Sequence, residues 1–239
     1  MTELVAPELG VEARTGGEPD GDGALQVLLI TEGGYPYQFS GVSTWCRLLV
    51  DGLRDVDYKV LAITGDPDGE PMFDLPPNVL DVTRVPLWGA RESLESRRDL
   101  GLSDLRRARR TVDGTAVADL LVPAFGSFVD ALLAETADPV GLADTVTALY
   151  AAFLYTDFDS AMRHRAAWDA FVTSARAAFP PAAARAGYPD APLQFSDLVT
   201  GMHWITHWLL PLARPLPAVD VAHATMAGSC TLPAVALKM

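Results

Sequence analysis

Residues 31–46, TEGGYPYQFSGVSTWC, place a carboxylate, two phenols, two serines and three glycines in one stretch between two apolar runs. A loop of this kind suits an anion. Glycine lets the backbone come close to a ligand, and the helix that follows presents unpaired N–H groups and the positive end of its dipole. Gly33 and Gly34 break the preceding run, Pro36 and Gly41 delay the helix, and Ser40 or Ser43 is placed to cap it. The same glycines would equally serve the chain geometry of an ordinary strand-to-helix turn. The stretch is neither a dinucleotide fingerprint, since G-x-G-x-x-G is absent, nor a P-loop, since no Walker lysine follows.

His223 is the second candidate, because it falls near the end of a short apolar run, VDVAHA, where open α/β sheets present ligands. A core histidine bonded to a backbone carbonyl is the competing reading. His203 and His207 lie four apart in HWITHW, the spacing of a two-histidine metal site. No third ligand accompanies them, so a packed aromatic helix, with Trp204 and Trp208 serving the core, is expected and no metal is assigned. Arg97, Arg98, Arg106, Arg107, Arg109 and Arg110 form the one basic concentration, read as a solvated helix surface rather than a phosphate or membrane contact. Cys46 and Cys230 stand in no CxxC or metal-ligand spacing, and no Ser-His-Asp order with a nucleophile elbow is present.

The elements that must position these residues follow from hydrophobic periodicity. Leu25–Ile30 reads as a buried parallel strand, and Val42, Trp45, Leu48, Leu49 and Leu53 as the apolar stripe of the next helix. Tyr58–Thr64 and Val79–Val85 are further strands, and Val219–Ala224 is another after a long interruption. Between them lie helical patterns at Val117–Leu133, Val140–Leu154, Ser160–Phe179 and Phe195–Ala213, with Pro123 breaking or kinking the first. Leu142, Val146, Leu149 and Phe153 make one stripe of the second, and Leu232–Met239 begins a last helix. Residues 1–24, rich in Gly, Glu, Asp and Pro, read as a disordered leader. The order of strands and helices predicts an α/β parallel sheet over residues 25–239, with a mainly helical insertion at 91–217.

T-E-G-G-Y-P-Y-x-x-S-G-V-S-T-W resembles the E-G-x-Y-P-Y-x-x-G-G-V-S-x-W loop of the PelF-type glycosyltransferases, members of glycosyltransferase family four. D-V-A-H-A-T-x-A-G is similar to that group's A-D-V-x-H-A-x-x-x-G strand and loop, and residues 194–215 fit its aromatic helical segment. The resemblance runs in order over residues 25–239 and implies the Rossmann-like N-terminal, acceptor-side domain of a retaining GT-B enzyme. It places Glu32, Gly33, Gly34, Tyr35, Tyr37, Ser40, Gly41 and Thr225 around the substrates, and His223 near the donor sugar as the catalytic candidate. Tyrosine rings suit sugar faces and carboxylates suit hydroxyls, although both phenols could instead pack under the loop. Ser40 stands where the family has the first glycine of a pair, and Thr225 where many relatives carry a second histidine.

The implied partners are a saccharide acceptor and a nucleotide-sugar donor such as a UDP-sugar, taken as substrate with no cofactor, in exopolysaccharide synthesis. The family's donor-binding half carries two glutamates eight positions apart, and no glutamate pair here has that spacing. The chain is therefore expected to stop before that C-terminal domain and to be inactive alone. A non-catalytic sugar-binding or assembly protein is the alternative, and the missing G-x-G-x-x-G speaks against a nicotinamide enzyme. A net charge of −13 argues against nucleic acid as a partner. With no signal-peptide pattern and no apolar run of membrane-spanning length, a cytoplasmic location is expected, with possible association to membrane polysaccharide machinery.

Overall fold

The apolar run beginning at Leu25 forms strand β1 (Leu25–Glu32), whose residues Val27–Thr31 are all buried. Both of its faces are covered, Leu28 and Ile30 in one core and Val27 and Leu29 in another, which explains its lack of polar alternation. The structure, a computed structural model, describes residues 23–88, 117–136, 138–179 and 193–238. The arginine-rich stretch and the Pro/Ala connector after Phe179 largely fall outside the described residues, as does the leader through residue 22.

Strand β2 (Val56–Thr64) pairs with β1 from Leu25↔Val56 to Glu32↔Ile63, and β3 (Val79–Pro86) pairs with β2. Strand β4 (Val221–Ala224) lies on the other side of β1, with His223 level with Leu29. All pairs are parallel and the order is β3-β2-β1-β4, so the fold is α/β and Rossmann-like. The chain leaves β1 toward β2 and β3, then returns to β4 on the opposite edge. The direction of winding reverses between β1 and β4, the place where such sheets open a crevice.

One sheet face carries helix α1 (Gly41–Gly52), packed through Cys46 and Val50 on Val27, Leu29, Tyr58 and Val60. The apolar stripe read from the sequence is rotated by about one residue. Ser43, Cys46 and Val50 face inward, whereas Trp45, Leu48 and Leu53 are exposed. The cause is the approach of the loop to the helix. A Cβ on Gly34 would lie 2.7 Å from the Ser43 hydroxyl, so only a small side chain fits on that helix face.

The other face carries the helical block. A π-helical turn, Val117–Leu121, runs into α2 (Val122–Leu133), and Pro123, which has no N–H to continue the ladder, sits in the first turn of the α-helix. Helix α3 (Pro139–Tyr155) buries Val146, Leu149 and Phe153 as its stripe predicts. The single helix expected over 160–179 is two, α4 (Phe158–Met162) and α5 (Arg165–Ala178). His164 divides them, its Nδ1 accepting the Ala166 N–H at 3.2 Å as an N-cap. Helix α6 (Phe195–Leu209) ends in a 3-10 turn at Pro211, and α7 (Thr231–Ala236) follows β4. These helices share one core with Leu28, Ile30, Leu61 and Ile63 of the sheet.

Candidate functional site

Glu32 is the last residue of β1, where the sheet's winding reverses. Its Oε2 accepts the Cys230 N–H at 3.3 Å, from the loop joining β4 to α7. A Cβ on Gly228 would lie 2.5 Å from that same oxygen, so the carboxylate rests directly against the glycine. Loops 33–40 and 225–230, far apart in sequence, thus flank one carboxylate at the carboxyl edge of the sheet. Backbone bonds pin both loops: Gly33 N–H donates to Ile63 O at 2.8 Å, and Thr225 N–H to Ile30 O at 3.0 Å.

The second loop holds two unusual polar atoms. Thr225 Oγ1 and Ser229 Oγ are buried and have no hydrogen-bond partner among the described residues. A buried hydroxyl without a partner calls for a ligand or water, since leaving it unmade costs about 1–3 kcal/mol. Ser229 and Gly228 are not among the site candidates that the sequence offers; both precede Cys230 in a run of small residues whose only signal is the motif's closing glycine.

The glycines of the first loop serve different ends. Gly33 adopts a φ of +68°, in the left-handed region that side chains disfavour. Gly34 is held by the Ser43 contact. At Gly41, the first residue of α1, a Cβ would meet nothing within 4 Å, so the protein's own packing does not require glycine there. Ser40 rather than Ser43 caps α1, its Oγ accepting the Ser43 N–H at 3.1 Å and pairing with the Ser43 hydroxyl at 2.8 Å.

The two phenols part company. Tyr35 is fully buried against Phe73, so its ring packs under the loop, the alternative that its sequence context also allowed. Burial first, then the negative field of Asp51, pushes the Tyr35 phenol up to about 12, and its hydroxyl has no partner among the described residues. Tyr35→Phe is therefore expected to leave stability at neutral pH unchanged or raise it by up to about 1 kcal/mol. Because the folded pKa exceeds the ordinary 10, stability is intact below pH 10 and falls toward pH 12 as the unfolded chain ionises first. The variant flattens that alkaline loss. Urea unfolding at pH 7 and pH 11 measures both effects, and a large drop at pH 7 would contradict the unpaired hydroxyl. Tyr37 is half-buried, with the Arg84 guanidinium 3.6 Å above its ring centre. Arg84 is itself held by the carbonyls of Pro67 and Gly69.

His223 is half-buried on the α1 face of β4, its ring edge-on to Trp45 with centroids 5.4 Å apart. The loop–helix motif and the strand motif therefore meet on this face too. His203 and His207 do lie side by side, ring centroids 4.1 Å apart, and Trp88 stacks on His207 at 4.4 Å. His207 Nδ1 lies 2.7 Å from the His203 carbonyl. No group of three potential metal ligands occurs among the described residues. Trp208 packs near Phe128 as expected, whereas Trp204 is 58 % exposed and does not serve the core. Both cysteines are free and buried; burial pushes the Cys46 thiol up to about 11 and the Cys230 thiol upward, away from the nucleophilic thiolate.

The fold and this edge define an α/β domain with a carboxylate and two partnerless hydroxyls at its topological switch point. The chain matches the family described as "Domain of unknown function (DUF3492)" over residues 25–239, and it belongs to that family. No curated protein and no solved structure matches it. Among the described residues no helix is long and apolar enough to cross a membrane.

Proposed function

We propose that this chain is the acceptor-side half of a retaining GT-B glycosyltransferase. It would move a hexose from a nucleotide-diphosphate sugar to a saccharide acceptor in exopolysaccharide synthesis, as the PelF-type enzymes that it resembles do. The observation that carries the reading is the convergence on Glu32 of the two loops bearing that resemblance. In this reading the Glu32 carboxylate accepts sugar hydroxyls, and the orphaned Thr225 and Ser229 hydroxyls bond the ligand. The N-terminus of α1, open at Gly41, faces developing negative charge on the leaving diphosphate, and His223 contacts the donor sugar. Donor binding would fall mainly to a second domain, and closure of the two would complete the site. The reaction would run on the cytoplasmic face of membrane polysaccharide machinery.

A transfer assay on the full-length gene product tests this, using a panel of UDP-sugars with soluble oligosaccharides and reading the product's anomeric configuration by NMR. Retained configuration supports the reading. Saccharide binding with neither transfer nor donor hydrolysis would replace it with the second one, a non-catalytic sugar-binding or assembly protein. Gly41→Ala sharpens the test. Alanine fits the open space and favours the helix by a few tenths to about 1 kcal/mol. It also narrows the approach to the α1 N-terminus, so transfer is expected to fall about tenfold with the melting temperature held or raised.

A further inference from the structure

Trp88 lies just past the carboxyl end of β3, where the Leu87 N–H donates to Thr64 O at 2.8 Å. It is 36 % exposed, and Trp204 of α6 is 58 % exposed. Their rings meet edge to face at 5.3 Å and 78°, forming a corner of two nearly perpendicular indoles. His207 backs Trp88 with its ring 16° from parallel, which fixes the indole plane. His203 is exposed beside the corner, its ring centroid 5.8 Å from that of Trp88. Histidines aside, residues 201–212, GMHWITHWLLPL, carry no charged side chain.

We infer that this corner is a second saccharide subsite, which seats one pyranose ring of the acceptor chain away from Glu32. The inference takes its ligand class from the saccharide-transfer reading above. The axial C–H groups of a pyranose carry partial positive charge and pack on the electron-rich face of an indole. A perpendicular second indole covers the ring's edge, and the His203 imidazole supplies a donor or acceptor for a hydroxyl. The lack of charged side chains along residues 201–212 suits a neutral polyhydroxyl ligand better than an ionic one. Trp88 lies two strands across from Glu32, about 10 Å at ordinary strand spacing, and three residues past Val85, which the register sets level with Glu32 through Ile63. A single oligosaccharide chain spans that separation.

The full chain labelled with 5-fluorotryptophan provides the test, its five indole signals assigned through single Trp→Phe variants. Titration uses the β-1,4-linked tetrasaccharides of glucose and N-acetylglucosamine and the α-1,4-linked tetramer of glucose. Saturable shifts of Trp88 and Trp204, with Trp168 and Trp208 unmoved, are expected for at least one of them. Trp204→Ala should weaken that binding about tenfold and Trp204→Phe far less, both folding normally because the side chain is exposed. Shifts confined to Trp45, which sits against His223, would overturn the subsite and leave the transferase reading standing. Shifts at Trp88 and Trp204 together with no transfer by the full-length gene product would keep the subsite and remove that reading. No shift with any tetrasaccharide at millimolar concentration, or a response to phosphatidylcholine vesicles instead, also overturns it.

Discussion

Replacing Gly228 with alanine is expected to reduce sugar transfer by the full-length gene product about a hundredfold while leaving the domain folded. The new methyl carbon would stand 2.5 Å from Glu32 Oε2 and 3.2 Å from its Cδ, too close for either atom to remain. The obstructing group is the far end of a flexible side chain, so it swings aside at small cost to stability. What is lost is position: the carboxylate leaves the Cys230 N–H, and the loop holding Ser229 keeps only its backbone bond from Thr225 N–H to Ile30 O as a tie to β1. A double-mutant cycle isolates this cause. If displacement of Glu32 is the whole effect, Gly228→Ala adds nothing to a Glu32→Ala background, and the two losses are far from additive. Full additivity, or a collapse of thermal stability in Gly228→Ala alone, would place the glycine's role elsewhere.

The largest effect on stability is expected from Phe128→Ala, a loss of about 3–5 kcal/mol. Phe128 is fully buried on α2, near Trp208 of α6, in the core that also holds Leu28, Ile30, Leu61 and Ile63 of the sheet. Truncation opens a cavity between the sheet and helices that cannot readily collapse, because both sides are braced by other elements. A domain of this size is commonly stable by only about 5–15 kcal/mol, so the loss takes a large share. The variant also reports on organisation. Because the helical block and the sheet share a core, urea unfolding should stay one cooperative transition with a lowered midpoint, seen alike by far-ultraviolet circular dichroism and tryptophan fluorescence. Two separated transitions would show that the block folds as a unit of its own.

Much of this architecture was legible beforehand because it depends on local chemistry. The run Leu25–Ile30 had to be a doubly buried strand, since nothing in it alternates, and the structure extends it only to Glu32. Pro123 lacks the N–H that a continuous helix needs, and the change from π- to α-helix falls beside it. The break between α4 and α5 carries no ordinary capping signal, because His164 caps through an imidazole, a residue outside the usual capping set. The rotation of α1 carries no local signal either. Periodicity defines a stripe, but the Gly34–Ser43 approach decides which neighbouring stripe turns inward.

The sequence by itself determined the order of strands and helices, the turn at Gly33 and the two motifs that bound the candidate site. These follow from backbone preference and hydrophobic period, which act over a few residues. Only the tertiary structure decided which chemistry-bearing side chains share a place. Tyr35 and Tyr37 are two residues apart, yet one lies in the core and the other under Arg84. Trp204 and Trp208 share a helix, yet one joins Trp88 at the sheet edge and the other faces Phe128. Glu32 meets Gly228 and Cys230 because strand order sets β4 beside β1, and no local preference encodes a neighbour nearly two hundred residues away.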